Sequence, residues 1–145
     1  MTISAPVTPT LDSLSLGDIV AESSFPLTRD SLVRYAGASG DFNPIHYRDD
    51  VAESVGLPGV LAHGMLTMGL AVQPVVEWLG GDSGRVTDYQ TRFTRPVPVD
   101  AADGAELTVV AKVGAIDDEG TRIDLTVTFA GQTVLGKAQV RVLPA

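Results

Sequence analysis

The chain has 145 residues, 44% of them hydrophobic and 19% charged, which fits one globular domain with a real core. Its formal charge is −8, from 10 basic and 18 acidic residues with no basic run; this argues against nucleic acid as a partner, since phosphates need a basic face, and disfavours an anionic membrane surface. The absence of cysteine removes disulfides, thiolate chemistry and cysteine-based zinc sites.

Met1 to Thr10 has no basic segment followed by an apolar run, so no secretory signal is expected, and a cytoplasmic location is the corresponding expectation. Residues 1–13, rich in Thr, Ser and Pro and without periodicity, read as a flexible arm; residues 14–145 read as a single domain. Ile19–Leu27 is a predicted strand. Thr28 is placed to cap a short helix, with Asp30 in the first turn and Leu32, Val33, Tyr35 and Ala36 on the apolar face. Gly37 and Gly40 end that helix. Asp49–Val55 is predicted as another, closed by Gly56 and Pro58.

Gly64–Leu79 is apolar on nearly every side, and a helix of that kind is expected to be buried all round, with a kink or narrowing at Pro74. Gln73, Pro74 and Glu77 interrupt it, and it falls short of the roughly 20 residues that span a bilayer, so it reads as a core helix. Beyond residue 85 the period changes to two. Tyr89, Thr91 and Phe93 form one alternating run, and Leu107, Val109, Ala111 and Val113 a second. Ile123, Leu125, Val127 and Phe129 form a third, and Val134, Gly136, Ala138, Val140 and Val142 a fourth. Asp117–Gly120 and Gly131–Gln132 are hairpin signals, and the whole reads as an antiparallel meander. The economical way to bury the helix is to wrap that sheet around it. The fold class is α+β.

The chemistry concentrates in Tyr35-Ala-Gly-Ala-Ser-Gly-Asp41-Phe-Asn43-Pro44-Ile-His46. A five-residue offset puts Asp41 and His46 about 140° apart on a helix and on opposite faces of a strand, so regular structure cannot join their side chains. Pro44 rules out a regular helical turn here and biases Asn43 toward extended geometry, leaving an irregular loop in which the two can converge. A carboxylate and an imidazole around one water suit general acid–base work near neutral pH. The same Asp-x-Asn-Pro run is equally good turn chemistry. Downstream, Gly64 begins the apolar helix; its N–H lacks an intrahelical acceptor and is placed either to stabilise an enolate-like oxygen or simply to allow a tight helix entry. Arg92 and Arg95 read as a solvated strand face with phosphate contact as the alternative. His63 reads as a helix-entry residue, and Tyr35 and Ser39 as packing and loop geometry. Asp49 and Asp50 start a helix.

The run Tyr35–His46, followed by Gly56-Leu57-Pro58 and Ala62-His63-Gly64-Met65, closely resembles the MaoC-like (R)-specific enoyl hydratases and dehydratases. From about Leu14 to Val142 the chain is similar to the catalytic subunits of heterodimeric (3R)-hydroxyacyl-ACP dehydratases of that family. The resemblance implies a hot dog fold, an antiparallel sheet wrapped around a long central helix and assembled as dimers. It assigns Asp41 and His46 to an acid–base pair, the Gly64 N–H to an oxyanion hole, and Asn43 to a supporting or water-orienting place. It implies an acyl-ACP or acyl-CoA thioester substrate and reversible water addition. Because the thioester itself acidifies the α-proton, no metal or other cofactor is implied. Partners are a second copy or a substrate-binding hot dog subunit. The rival readings are a thioesterase on the same fold and a non-catalytic thioester-binding subunit; a complete Asp-x-Asn-Pro-x-His run speaks against both.

Overall fold

The structure, a computed structural model, describes residues 9–143. Five strands form one antiparallel sheet: β1 (Ile19–Leu27), β2 (Val86–Phe93), β3 (Ala105–Asp117), β4 (Gly120–Phe129) and β5 (Gln132–Val142). Their order is β1-β3-β4-β5-β2. The expected meander is therefore its three central strands, while β1 and β2 arrive from elsewhere in the chain and form the two edges.

The meander folds for the reason its sequence announces. Val109, Val113, Ile123, Val127, Val140 and Val142 point to one side and are essentially inaccessible to solvent. Burying a side chain of this size contributes about 1.5–3 kcal/mol, and period two keeps the whole set on one face. The β4–β5 hairpin turns on Ala130 and Gly131, with φ of 49° and 75°. Two successive positive φ values suit the right-handed strand twist. The turn thus sits one residue earlier than the Gly131–Gln132 pair expected from sequence. Alternation also breaks in β5: Val134 and Leu135 are both buried, and the pairing slips between Leu125↔Ala138 and Val127↔Leu135. Lys137, at φ 47°, takes up the extra residue of this bulge.

Among the described residues three α-helices complete the fold: α1 (Arg29–Ser39), α2 (Asp49–Ser54) and α3 (Gly64–Trp78). Thr28 caps α1 in a reciprocal box with Ser31, and Gly40 ends it at φ 78°, its N–H donating to Ala36 O. Gly37, expected to help end the helix, lies inside it. The long α3 runs through Pro74 and lies against β1, β2, β3 and β4, the arrangement of the hot dog fold. Ala71 and Val75 face the sheet with no exposed surface. Burial all round does not hold in the single chain: Met65 is 59% exposed, and Gly69, Gln73 and Glu77 continue its open face. A sheet of five strands reaches only one side of the helix.

Of the arm expected at residues 1–13, residues 1–8 lie outside the described part. The rest is tied down: Leu11–Ser13 forms a 3₁₀ turn, Leu11 packs on the core, and the Trp78 indole N–H donates to Pro9 O at 2.8 Å. Among the described residues no helix is long and apolar enough to cross a membrane.

Candidate active site

Two segments meet beside the N-terminus of α3. The first leaves α1 at Gly40 and is folded by its own side chains. Ser39 Oγ accepts the Asp41 N–H at 3.1 Å, Asp41 Oδ1 accepts the Asn43 N–H at 3.1 Å, and Asn43 Oδ1 accepts the Ile45 N–H at 3.3 Å. These short bonds compete well with regular structure and make a compact bend. Pro44 does not exclude a helical turn, as the sequence reading had it. It opens one: Pro44–His46 is a single 3₁₀ turn, and proline is tolerated at a first helical position because its missing N–H would be unpaired there anyway. Asn43 does have the extended conformation expected before proline, with φ −57° and ψ 121°.

The second segment, Val60 to Gly64, is pinned from three sides. The Leu61 N–H donates to Ile45 O, the Ala62 N–H to Val97 O, and the Val99 N–H to Val60 O, all between 2.9 and 3.1 Å. Asp49 accepts the Val60 N–H at 2.9 Å and is gripped by both terminal nitrogens of Arg29, at 3.0 and 3.2 Å. The Val60 amide, followed by Arg29, holds the Asp49 carboxyl below its ordinary range.

Together these segments aim the polar groups. His46 is buried, and its Nδ1 lies 2.7 Å from Leu61 O. A carbonyl only accepts, so Nδ1 carries a proton, and Nε2 faces the Asp41 carboxylate, with Asp41 Oδ2 at 3.9 Å. That gap is too long for a direct hydrogen bond, but one oxygen atom can lie about 2.8 Å from both groups. The Asp41 side chain is half exposed. Gly64 is the first residue of α3, and its N–H donates to no protein acceptor among the described residues. A side chain at Gly64 would come within 2.9 Å of the Phe93 ring. Asp41, His46, Gly64, Met65, Phe93 and Arg95 line one cleft of about 430 Å³, with Leu61, Val97, Val134 and Leu135 supplying apolar wall.

Asn43 is exposed and spends its carbonyl oxygen on the turn that carries His46. Arg95 reaches the cleft but gives one N–H to Thr133 O; Arg92 lies along β2, away from this cleft. Sequence reasoning undervalued His63. It is 1% exposed, stacks on His46 with ring centroids 3.8 Å apart and 22° between planes, and meets the edge of Tyr35 at 4.7 Å. Its Nε2 donates to the Asp41 carbonyl at 3.2 Å. The signal was available: a histidine between Val60-Leu61-Ala62 and an apolar helix must find a partner for at least its ring N–H. Asp41, His46 and His63 each bring a ligand-type atom within 4.8 Å of the others. The set nevertheless does not fit a metal: the two imidazoles stack nearly parallel at 3.8 Å, so their in-plane lone pairs run side by side and do not converge on one ion.

Residues 16–131 match the family described as MaoC like domain. The chain belongs to that family. It is 30% identical over 131 residues to the (R)-specific enoyl-CoA hydratase of Rhodospirillum rubrum, covering 90% of this chain and 85% of that protein. It is 44% identical over 61 residues to the fatty acid synthase beta subunit TOXC of Cochliobolus carbonum, of which it spans only 3%. Among solved structures, a MaoC-like dehydratase superposes with a TM-score of 0.88 at 38% identity, over 95% of this chain and 43% of that one. The chain is thus under half the length of several proteins it matches.

Proposed function

We propose that this MaoC-like chain is a hydro-lyase that reversibly adds water across the 2,3 double bond of a trans-2-enoyl thioester, on ACP or CoA, to give a (3R)-3-hydroxyacyl thioester. The observation that carries the reading is the 3.9 Å gap between Asp41 Oδ2 and His46 Nε2, open to the cleft that also holds Gly64. The hydratase name of the Rhodospirillum rubrum relative supports it.

In the hydration direction a water sits between the pair. Asp41 takes one of its protons as the oxygen attacks the β-carbon. The π electrons move toward the thioester carbonyl, whose oxygen gains negative charge beside the Gly64 N–H and the positive end of α3. Protonated His46 gives its Nε2 proton to the α-carbon. Water has been added, and the pair still holds one proton, now on Asp41; its return to His46 resets the site. Dehydration reverses each step. In this scheme Asn43 shapes the turn that presents His46. Residues 14–145 form one catalytic unit, supported by a core shared among all five strands and α3.

The unit works with a partner, either a second copy or a substrate-holding hot dog subunit. Two features support this: the open face of α3 around Met65, and the two edge strands β1 and β2. The test is direct. Mixed with crotonyl-CoA and longer enoyl-CoA substrates, the protein should remove the conjugated-enoyl absorbance without releasing thiol. Thiol release would indicate a thioesterase, and retention of substrate with unchanged absorbance a binding subunit.

A further inference from the structure

We infer that His63 is a positioning residue for the Asp41–His46 pair, holding the backbone of one member and the ring of the other with a single imidazole. This rests on the acid–base reading above and goes beyond it. His63 occupies the N-cap of α3, where Ser, Thr, Asp or Asn usually turns a side chain back onto the helix. Its side chain makes no such bond. The backbone carbonyl alone receives the first turn, from Leu66 and Thr67. An apolar residue would fill the same space without the cost of burying a polar ring. The imidazole instead points away from the helix, with Nε2 on Asp41 O, one face on His46 and an edge on Tyr35.

The hydrogen bond fixes the tautomer. Asp41 O can only accept, so the proton lies on Nε2. Nδ1 is left buried with no partner among the described residues. Leaving such a nitrogen unpaired costs about 1–3 kcal/mol, so the ring's orientation is not set by satisfying both of its nitrogens. It is set by the two contacts to the acid–base pair. Burial pushes the His63 pKa down, against the Asp41 bond, which raises it, and with the nearness of His46, which lowers it. The lowered pKa disfavours a cation at His63, stacked against the His46 ring.

The chain has only two histidines, so each ring can be assigned in a long-range ¹H–¹⁵N spectrum. At neutral pH the expected pattern is a proton on Nε2 of His63 and on Nδ1 of His46. A proton on Nδ1 of His63 would overturn the inference whether or not the protein is active. Two variants then separate the contacts. His63→Gln keeps a donor and loses the stacked ring; His63→Phe keeps a ring and loses the donor. Each should lower kcat for enoyl-CoA hydration about tenfold or more with KM within about twofold, since misplacing reacting groups costs rate more than binding. Wild-type kcat in either folded variant would also overturn the inference, leaving the pair itself standing. An inactive wild-type protein would instead count against the hydratase reading, while the tautomer pattern still decides the place of His63.

Discussion

The segments Ser39–His46 and Val60–Gly64 meet at one cleft but are built in opposite ways. The first is mostly exposed and bonds to itself, through Ser39, Asp41 and Asn43, over offsets of two residues. The second is mostly buried and is tied to Ile45, Val97, Val99 and Asp49. The first carries the side chains proposed for acid–base work. The second aims them, through Leu61 O on His46 and the His63 ring on both members of the pair. A local loop can supply chemistry, but its geometry is borrowed from a buried neighbour.

That division can be broken from either side. The largest effect is expected in the first segment: Asp41→Asn and His46→Ala should each lower hydratase kcat by about 10²–10⁴. Thermal unfolding should show an intact fold, since Asp41 is half exposed and His46, though buried, lies outside the hydrophobic core. Near-normal turnover in either variant, with its partner present, would remove the acid–base assignment.

Next comes Gly64. Gly64→Pro deletes the N–H at a first helical position that accepts proline, after a residue already extended at φ −61° and ψ 130°. The expected loss in kcat is about 10²–10³. Gly64→Ala keeps the N–H but must displace Phe93, so it should act mainly on KM. If the two variants lost kcat equally, crowding and not the donor would be the cause.

A smaller effect sharpens the buried side. The folded-state pKa of His63 is depressed, so the folded protein binds fewer protons than the unfolded chain as pH falls below the ordinary imidazole value of 6.5. The His63 contribution is therefore fully present above that value and is lost as pH falls toward the folded pKa. Melting temperature should decline across that window more steeply in wild type than in His63→Gln; parallel curves would contradict a neutral buried His63. The smallest effect lies outside both segments: Thr28→Ala should cost about 1 kcal/mol of stability through the lost cap, with kcat unchanged.

Much of this was legible because it is local. Alternation in Ile123–Phe129 marked β4, Thr28 marked the start of α1, and the apolar run from Gly64 marked α3. The bend through Asp-x-Asn-Pro-x-His was legible because asparagine and aspartate fold such bends by themselves. The misreadings concern competition between local rules and distant partners. Pro44 starts a 3₁₀ turn because Asn43 caps it. The alternation of β5 slips at Lys137 because β4 sets its register. The open side of α3 could not be read from its composition, since hydrophobicity does not say which neighbours are supplied by the same chain.

The sequence alone determined which groups Asp41 and His46 offer, and that irregular backbone had to carry them. Five residues of separation fit neither a helix nor a strand. Only the tertiary structure decided which His46 nitrogen faces Leu61 O and which faces Asp41, the 3.9 Å separation of the pair and the contact of His63 with both. The physical reason is range. Turn bonds act across two or three residues, whereas Leu61 and His63 lie 15 and 22 residues from the groups they orient, and only burial of the Val60–Gly64 segment brings them there.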